Sequence, residues 1–348
     1  MGFFSKSAYL CKLIKTKITK KYFPINVTIC ITGKCNYRCL YCYGEFSRKT
    51  RESEMTTSQI LNLIDQLYEK GTRYISVSGG EPLIHKDVGK IIDHIKAKNC
   101  ECTISTNCSL LPKKINEIKN VDLIAASLDG IENENDLNRG TGAFQKTMKG
   151  IESALKYKIP IVINTVLTKN NVNSIEYLSS LGKELGIKIK FSFMVYSDLQ
   201  RKKNIYDKLE LSSEEIKNAL IKILALKKNG APILYSDKAY KLSLIWPDHS
   251  KLYYWDETPD FQYAKCYSAK MFYQIDSDSS VYPCSMFFDS FKAKKILEVG
   301  LEEAFANARQ KNLCTACSKP SYIEHNLIYG FDYSTIFSNI VDYFKYNK

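Results

Sequence analysis

The chain has 348 residues, 45% apolar and 25% charged, enough to bury an enzyme-sized core and unlike a disordered or collagen-like chain. The net charge is +13, but residues 1–34 carry seven lysines and no acid, so the rest is mildly basic and demands no nucleic-acid groove. Twelve cysteines accompany four histidines, with no membrane-length apolar run and no secretory signal, so the thiols point to metal, catalysis or burial in a cytoplasmic protein rather than to disulfides.

Residues 1–24 are a basic segment in which Leu10, Leu13, Ile14 and Ile18 mark a helical stripe crowded by Lys17 and Lys21. A helix laid over the body is the first reading, and weak peripheral contact with a membrane surface the second. Residues 26–31 read as a strand. Thr56 and Gln59 form a capping box for an apolar-periodic helix through Leu61, Ile64, Leu67 and Tyr68, with Gly71 past its end. Residues 74–78 make a second strand, followed by a helix near 88–98. Further strands are predicted at 103–105, 123–127, 161–167 and 187–194. Short buried strands alternating with helices predict an α/β fold with a parallel sheet or barrel over residues 25–200.

Residues 201–265 break that rhythm. Ser212 and Glu215 cap a helix to about Lys228, ended by Gly230, and an aromatic-rich connector runs on to Cys266. Residues 266–320 hold four more cysteines. In residues 321–348 the apolar positions Ile336, Phe337, Ile340, Val341 and Phe344 predict a terminal helix docked on the protein's own core.

Cys35, Cys39 and Cys42 sit in one short loop after the first strand. Three thiolates can hold three irons of a [4Fe–4S] cluster and leave the fourth open. Zinc ordinarily takes four ligands, and no nearby His or Cys completes such a set. Unligated buried thiols are the bland alternative, and three in one loop strain it. At the end of the second strand, Ser78-Gly79-Gly80-Glu81-Pro82 offers glycines that let backbone approach a ligand. Alone that is only a turn.

Taken in order, these residues resemble the radical S-adenosylmethionine (SAM) enzymes. The loop matches Cys-x3-Cys-x-aromatic-Cys through Cys35, Cys39, Tyr41 and Cys42, and Gly79 to Pro82 match Gly-Gly-Glu-Pro. Ser105-Thr106-Asn107, Ser127-Leu128-Asp129-Gly130 and Arg139-Gly140 supply later stations; Cys108 departs from the pattern where Gly is usual. The resemblance implies a partial (β/α)6 TIM-type barrel with a [4Fe–4S] cluster at the C-terminal strand ends. It implies that Gly79, Gly80, Glu81 and Pro82 hold the amino end of SAM, and that Arg139 takes its carboxylate as a bidentate fork. Asp129, helped by Ser127, would accept from the ribose hydroxyls, while Tyr41, Asn164 and Met194 frame adenine; Ser105 and Asn107 stand beside them. The implied reaction is reductive cleavage of SAM to a 5′-deoxyadenosyl radical that abstracts hydrogen from substrate.

Cys266, Cys284, Cys314 and Cys317 suffice for one closed cluster or one zinc. Residues 278–284 resemble the hairpin of SPASM and twitch extensions, with Ser279 where Gly is usual. That implies an auxiliary [4Fe–4S] cluster passing electrons, with structural zinc the alternative. Ser285 stands where sulfatase-maturing relatives carry an acidic base, which counts against that reaction. Asp276 and Asp278 are alternative bases, although turn capping is their commoner role.

The expected substrate is a small molecule, sugar or lipid-linked compound, with an electron donor such as flavodoxin or ferredoxin. A peptide or protein substrate is the runner-up, since about 25 residues before the first strand are too few for a peptide-binding domain. A non-catalytic iron–sulfur redox protein is the reading of another class. Cys11, Cys30, Cys100, Cys102 and Cys108 remain as ordinary, mostly buried thiols.

Overall fold

The computed structural model describes residues 14–16, 18–19, 22–46, 53–195, 207–288 and 291–346, with side chains to residue 339. Leu10, Cys11, Leu13, Lys17 and Lys21 lie outside these residues, as do the side chains of Ile340, Val341 and Phe344.

Six strands form the core sheet: β1 (Asn26–Cys30), β2 (Tyr74–Ser78), β3 (Glu101–Thr106), β4 (Leu123–Ser127), β5 (Ile161–Leu167) and β6 (Lys188–Phe193). They lie in the order β6-β5-β4-β3-β2-β1, every neighbour parallel. This is the predicted partial barrel. Parallel strands need crossovers, and helices supply them: α1 (Thr57–Lys70), α2 (Val88–Ala97), α3 (Leu111–Lys114), α4 (Glu132–Arg139), α5 (Ala143–Lys156) and α6 (Ile175–Leu185). α1 begins with the predicted Thr56–Gln59 capping box and ends at Gly71, left-handed with φ 112°. Its apolar stripe, Ile60, Leu63, Ile64 and Leu67, joins Val27, Ile29, Ile75 and Val77 in one buried cluster. Each such side chain contributes roughly 1.5–3 kcal/mol.

The connector is more structured than its composition suggests. After α7 (Ser213–Lys228), capped by Ser212 and Glu215, comes α8 (Asp237–Leu244), capped by the Ser236 side chain. Strand β7 (Tyr253–Trp255) then pairs antiparallel with β10 (Cys314–Cys317), bringing connector and C-terminal cysteines together. Between them run β8 (Phe272–Ile275) and β9 (Val281–Tyr282), a hairpin whose first strand pairs in parallel with β1. All four β8 residues are buried, so this edge is covered and the sheet continues from barrel into extension.

Four more helices complete the description: α9 (Ile296–Val299), α10 (Leu301–Gln310), α11 (Pro320–Tyr329) and α12 (Tyr333–Tyr346). α11 turns Tyr322, His325 and Tyr329 onto Phe272 of β8. Of the five residues of the predicted terminal stripe, Ile336 and Phe337 have described side chains, and Ile336 is half-buried. Phe337 is 68% exposed, while Thr335 is buried and Asn339 donates to Glu324 at 2.6 Å. Its described attachment is therefore polar. At the other end, Ile14 and Ile18 of the predicted stripe face solvent and Thr16 is buried. Among the described residues no helix is long and apolar enough to cross a membrane.

Candidate active site

The cysteine loop leaves β1 and is pinned against the end of β2. Gly80 and Glu81 donate their backbone N–H groups to the carbonyls of Thr32 and Lys34 at 2.9 and 2.8 Å. A Cβ on Gly79 would stand 2.3 Å from the Thr32 carbonyl oxygen, and one on Gly80 2.2 Å from that of Lys34. The glycine pair thus permits the loop itself to approach, a stronger requirement than an ordinary turn. Glu54 fastens the loop from the other side, accepting from Gly33 N–H at 2.7 Å.

Cys35, Cys39 and Cys42 line one cavity of about 300 Å³ at the C-terminal strand ends. Tyr41 and Arg139 line it as well. So do Gly79, Gly80 and Glu81 after β2, Ser105 and Asn107 from β3, Ser127 from β4 and Asn164 from β5. Pro82 is buried behind them, opening a short helical turn. A cleft of about 570 Å³ elsewhere, between the end of α7 and α12, contains no cysteine. Desolvation pushes the Cys35 thiol up to about 12, and burial pushes Cys39 to about 11. Metal uptake near neutral pH therefore has to displace their protons.

Glu81 faces protein. Its carboxyl accepts from Thr106 Oγ1 at 2.7 Å, Asn107 N–H at 2.8 Å and Leu83 N–H at 3.1 Å, stapling β2 to β3. Burial raises its pKa to about 7 against the pull of those donors.

Arg139 and Asp129 correct the predicted division of labour. Asp129 is fully buried, accepting from Arg139 Nε at 2.7 Å and Nη2 at 2.9 Å, from Val166 N–H at 3.2 Å and from the Tyr41 hydroxyl. Its acceptor sites are occupied, so it orients Arg139 and Tyr41 instead of opening onto a ribose. Met194 is displaced too. It packs with Tyr41, Leu209 and Leu252 and does not line the cavity, whereas Ser192, Phe193 and Val195 do. Asn107 is tied to Asn36 at 2.9 Å.

Cys266, Cys284, Cys314 and Cys317 are buried in one cluster with Met271, Met286 and Phe287. Cys266 is held below the usual thiol range by a hydrogen bond from Cys314, which is pushed up in turn. Desolvation raises Cys284 to about 12. Both cysteine groups consist of sulfur donors, the ligand type of iron–sulfur clusters and of structural zinc. Among the described residues no three His, Cys, Asp or Glu side chains converge closely enough for a single metal ion.

The hairpin turn has Ser279 at φ 71°, the left-handed conformation that its usual glycine would favour. Asp278 accepts from Ser280 N–H at 3.0 Å and Asp276 from Ser277 N–H at 2.7 Å. Neither lines the cavity, which fits turn capping, their commoner role, better than the alternative of a base. Ser285 does line it, hydrogen-bonded to Tyr322 at 2.6 Å. Lys319, Ser321 and Tyr322, unmarked by any motif, close the same wall from the start of α11. Their one signal is position: they follow Cys317 directly. Cys30, Cys100, Cys102 and Cys108 are buried as expected.

Comparison with known proteins gives this geometry its context. The profile of the radical SAM superfamily matches residues 29–180. The chain is 33% identical over 199 residues to Fe-coproporphyrin III synthase of Methanosarcina barkeri, covering 56% of this chain and 49% of that relative, about half its length. It is 30% identical over 225 residues to GTP 3′,8-cyclase of Clostridium botulinum, covering 61% of this chain and 70% of that enzyme. Streptococcus suis SuiB shares the fold. Its SAM-bound structure matches with a TM-score of 0.64 at 17% identity, over 85% of this chain and 70% of SuiB. The structure bound to precursor peptide SuiA gives 0.66 at 18%, over 86% and 69%. The superfamily implies SAM and a [4Fe–4S] cluster, and the cysteine-lined cavity fits both. The chain belongs to the radical SAM superfamily, as an enzyme.

Proposed function

We propose that Cys35, Cys39 and Cys42 hold the open [4Fe–4S] cluster and that the enzyme abstracts hydrogen from a small-molecule, sugar or lipid-linked substrate. The observation that carries this reading is the meeting of the three cysteines with the ends of β2 to β5 in one cavity. When bound, cluster and SAM together supply reductive cleavage of the sulfonium and the hydrogen-abstracting species. Gly79 and Gly80 seat the cysteine loop, with Pro82 fixing the turn behind them. Arg139, held by Asp129, presents its guanidinium toward the SAM carboxylate. Ser127 and Asn164 offer the hydroxyl and amide for the nucleoside, with Tyr41 packed beside them and Ser105 and Asn107 bordering the same space. Tyr43, Phe46 and Phe288, in edge-to-face contact at 5.6–5.9 Å, shield the loop from water.

Cys266, Cys284, Cys314 and Cys317 hold an auxiliary [4Fe–4S] cluster whose full ligation suits electron transfer, fed by a flavodoxin or ferredoxin. Small-molecule chemistry is supported by the names of the two sequence relatives, one a porphyrin-forming enzyme and the other a nucleotide cyclase.

The test is anaerobic reconstitution with iron and sulfide counting, followed by assay of 5′-deoxyadenosine. Two clusters give about eight irons per chain. Combined replacement of Cys35, Cys39 and Cys42 by Ala should abolish 5′-deoxyadenosine formation; persistence sinks the reading. Cys314→Ala should lose about half the iron, and zinc in its place would replace the auxiliary cluster by a structural ion.

A further inference from the structure

The outer side of α12 sets exposed aromatic residues beside a lysine-lined cleft. Thr335 is buried and Asn339 donates to Glu324, so these two positions hold the helix to the body. Tyr333 and Phe337, one turn apart, lie on the opposite side at 75% and 68% exposure. Ser334 and Ser338 fall between those two sides and line the cleft of about 570 Å³ against α7 and α8. Lys227 at the end of α7 and Lys238 and Lys241 on α8 line the same cleft.

The one carboxylate among the lining residues is Asp237. Asp332, behind them, is spent on Lys238, Ser334 and Thr335. Lys227 gives one proton to the Ile233 carbonyl at 3.0 Å and keeps two. Lys241 is exposed, and its ammonium makes no hydrogen bond or ion pair with a described residue. The cleft thus keeps an excess of positive charge after its acids are counted.

The N-terminal segment brings more of both features. Ile14 and Ile18, also one turn apart, are 44% and 77% exposed, with Thr16 buried between them. Residues 1–34 hold seven lysines and no acid. This segment meets the start of α12. Tyr22 packs on Tyr267 at 6.1 Å between ring centroids and Tyr267 on Tyr329 at 6.3 Å, and Tyr329 ends α11 just before α12 begins. Exposed apolar side chains set among lysines suit an anionic bilayer: the apolar groups enter the headgroup boundary and the ammonium groups pair with lipid phosphate. A two-fold contact between copies would instead bring the same lysines together, at a cost in like-charge repulsion.

We propose that α12 and its lysine-lined cleft, continued by Ile14 and Ile18, form a docking surface for an anionic phospholipid membrane. Phe337 enters the headgroup boundary and Lys241 pairs with lipid phosphate. The surface needs neither cluster nor SAM, so it stands or falls independently of the radical reading.

The experiment is cosedimentation of the full chain with phosphatidylcholine vesicles, with and without phosphatidylglycerol, and light scattering for oligomeric state. The protein should sediment with the anionic vesicles, stay in solution with the neutral ones, and be released as salt rises. Lys241→Glu and Phe337→Ser should each weaken binding at least about tenfold, while Lys241→Arg retains it. Both positions are exposed, and circular dichroism checks that the variants fold. The proposal fails if anionic vesicles do not bind, or if neutral vesicles bind equally well. It fails also if both variants bind like the wild type, because the basic segment alone then makes the contact. A dimer that Phe337→Ser dissociates, without vesicle binding, would make this face a contact between copies and overturn the proposal.

Discussion

Arg139 and Asp129 form a bidentate ion pair inside the protein, Nε to Oδ2 at 2.7 Å and Nη2 to Oδ1 at 2.9 Å, at 6% and 0% exposure. Such a pair is weak evidence for net stability, but breaking one side strands a buried charge. Asp129→Asn should therefore cost about 3–5 kcal/mol and weaken SAM binding. Replacing both, Asp129→Leu with Arg139→Met, should recover most of the stability and none of the SAM affinity. Urea unfolding and calorimetry separate the two effects. Equal SAM affinity in wild type and double variant would show that the pair is only structural.

Gly80 makes the cysteine loop and the β2 end mutually dependent. An added methyl meets the Lys34 carbonyl at 2.2 Å and Cys35 Cβ at 2.9 Å, and the first of these is backbone that cannot swing aside. Gly80→Ala should cost about 1–3 kcal/mol by overpacking. It should also shift Cys35, so that reconstituted protein loses close to half its iron while the second cysteine group stays loaded. Full iron content in this variant would show that the loop tolerates the displacement.

Local patterns carried much of the fold in the sequence. Both capping boxes, the period of α1 and the six strand positions are local, and the cysteine loop and strand-end stations are short enough to read directly. What escaped depends on pairings distant in sequence. The β8–β1 pairing joins residues some 245 apart, and β7 finds its partner only at Cys314–Cys317. Asp129 looks like a ribose acceptor until Arg139, one helix later, is seen to occupy it. Met194 escapes because the chain at the end of β6 turns Ser192, Phe193 and Val195 to the cavity while Met194 packs against Tyr41, Leu209 and Leu252.

His249 supplies a pH dependence with a defined sign. It is 3% exposed, Nε2 meets the Ser243 carbonyl oxygen at 3.0 Å, and Nδ1 is buried without a partner. Burial lowers its pKa to about 4, with Lys319 and Lys217 also opposing protonation. A depressed folded pKa means the neutral form stabilises the fold above the unfolded value of about 6.5, and that this is lost as pH falls toward 4. Urea unfolding should show stability declining by a few kcal/mol between pH 6.5 and 4, and His249→Gln should flatten part of that slope. Identical slopes would place the acid sensitivity elsewhere.

Cys108 explains why a helix glycine should resist the substitution that usually helps. Cys108 is fully buried in the left-handed region at φ 62°, where the motif it departs from has glycine. It fits because Gly150, in the middle of α5, offers no side chain: a Cβ there would stand 2.4 Å from the Cys108 carbonyl oxygen and 2.6 Å from its Cβ. In an open helix Gly→Ala gains about 1 kcal/mol. At this crossing overpacking of about 1–3 kcal/mol outweighs the propensity gain, so Gly150→Ala should destabilise the protein in urea unfolding. Adding Cys108→Gly should restore only part of the loss, because it removes the Cβ contact and leaves the shorter one to backbone oxygen. Full restoration would mean that the thiol side chain, and not the path of the chain at residue 108, sets the limit on how closely α5 approaches β3.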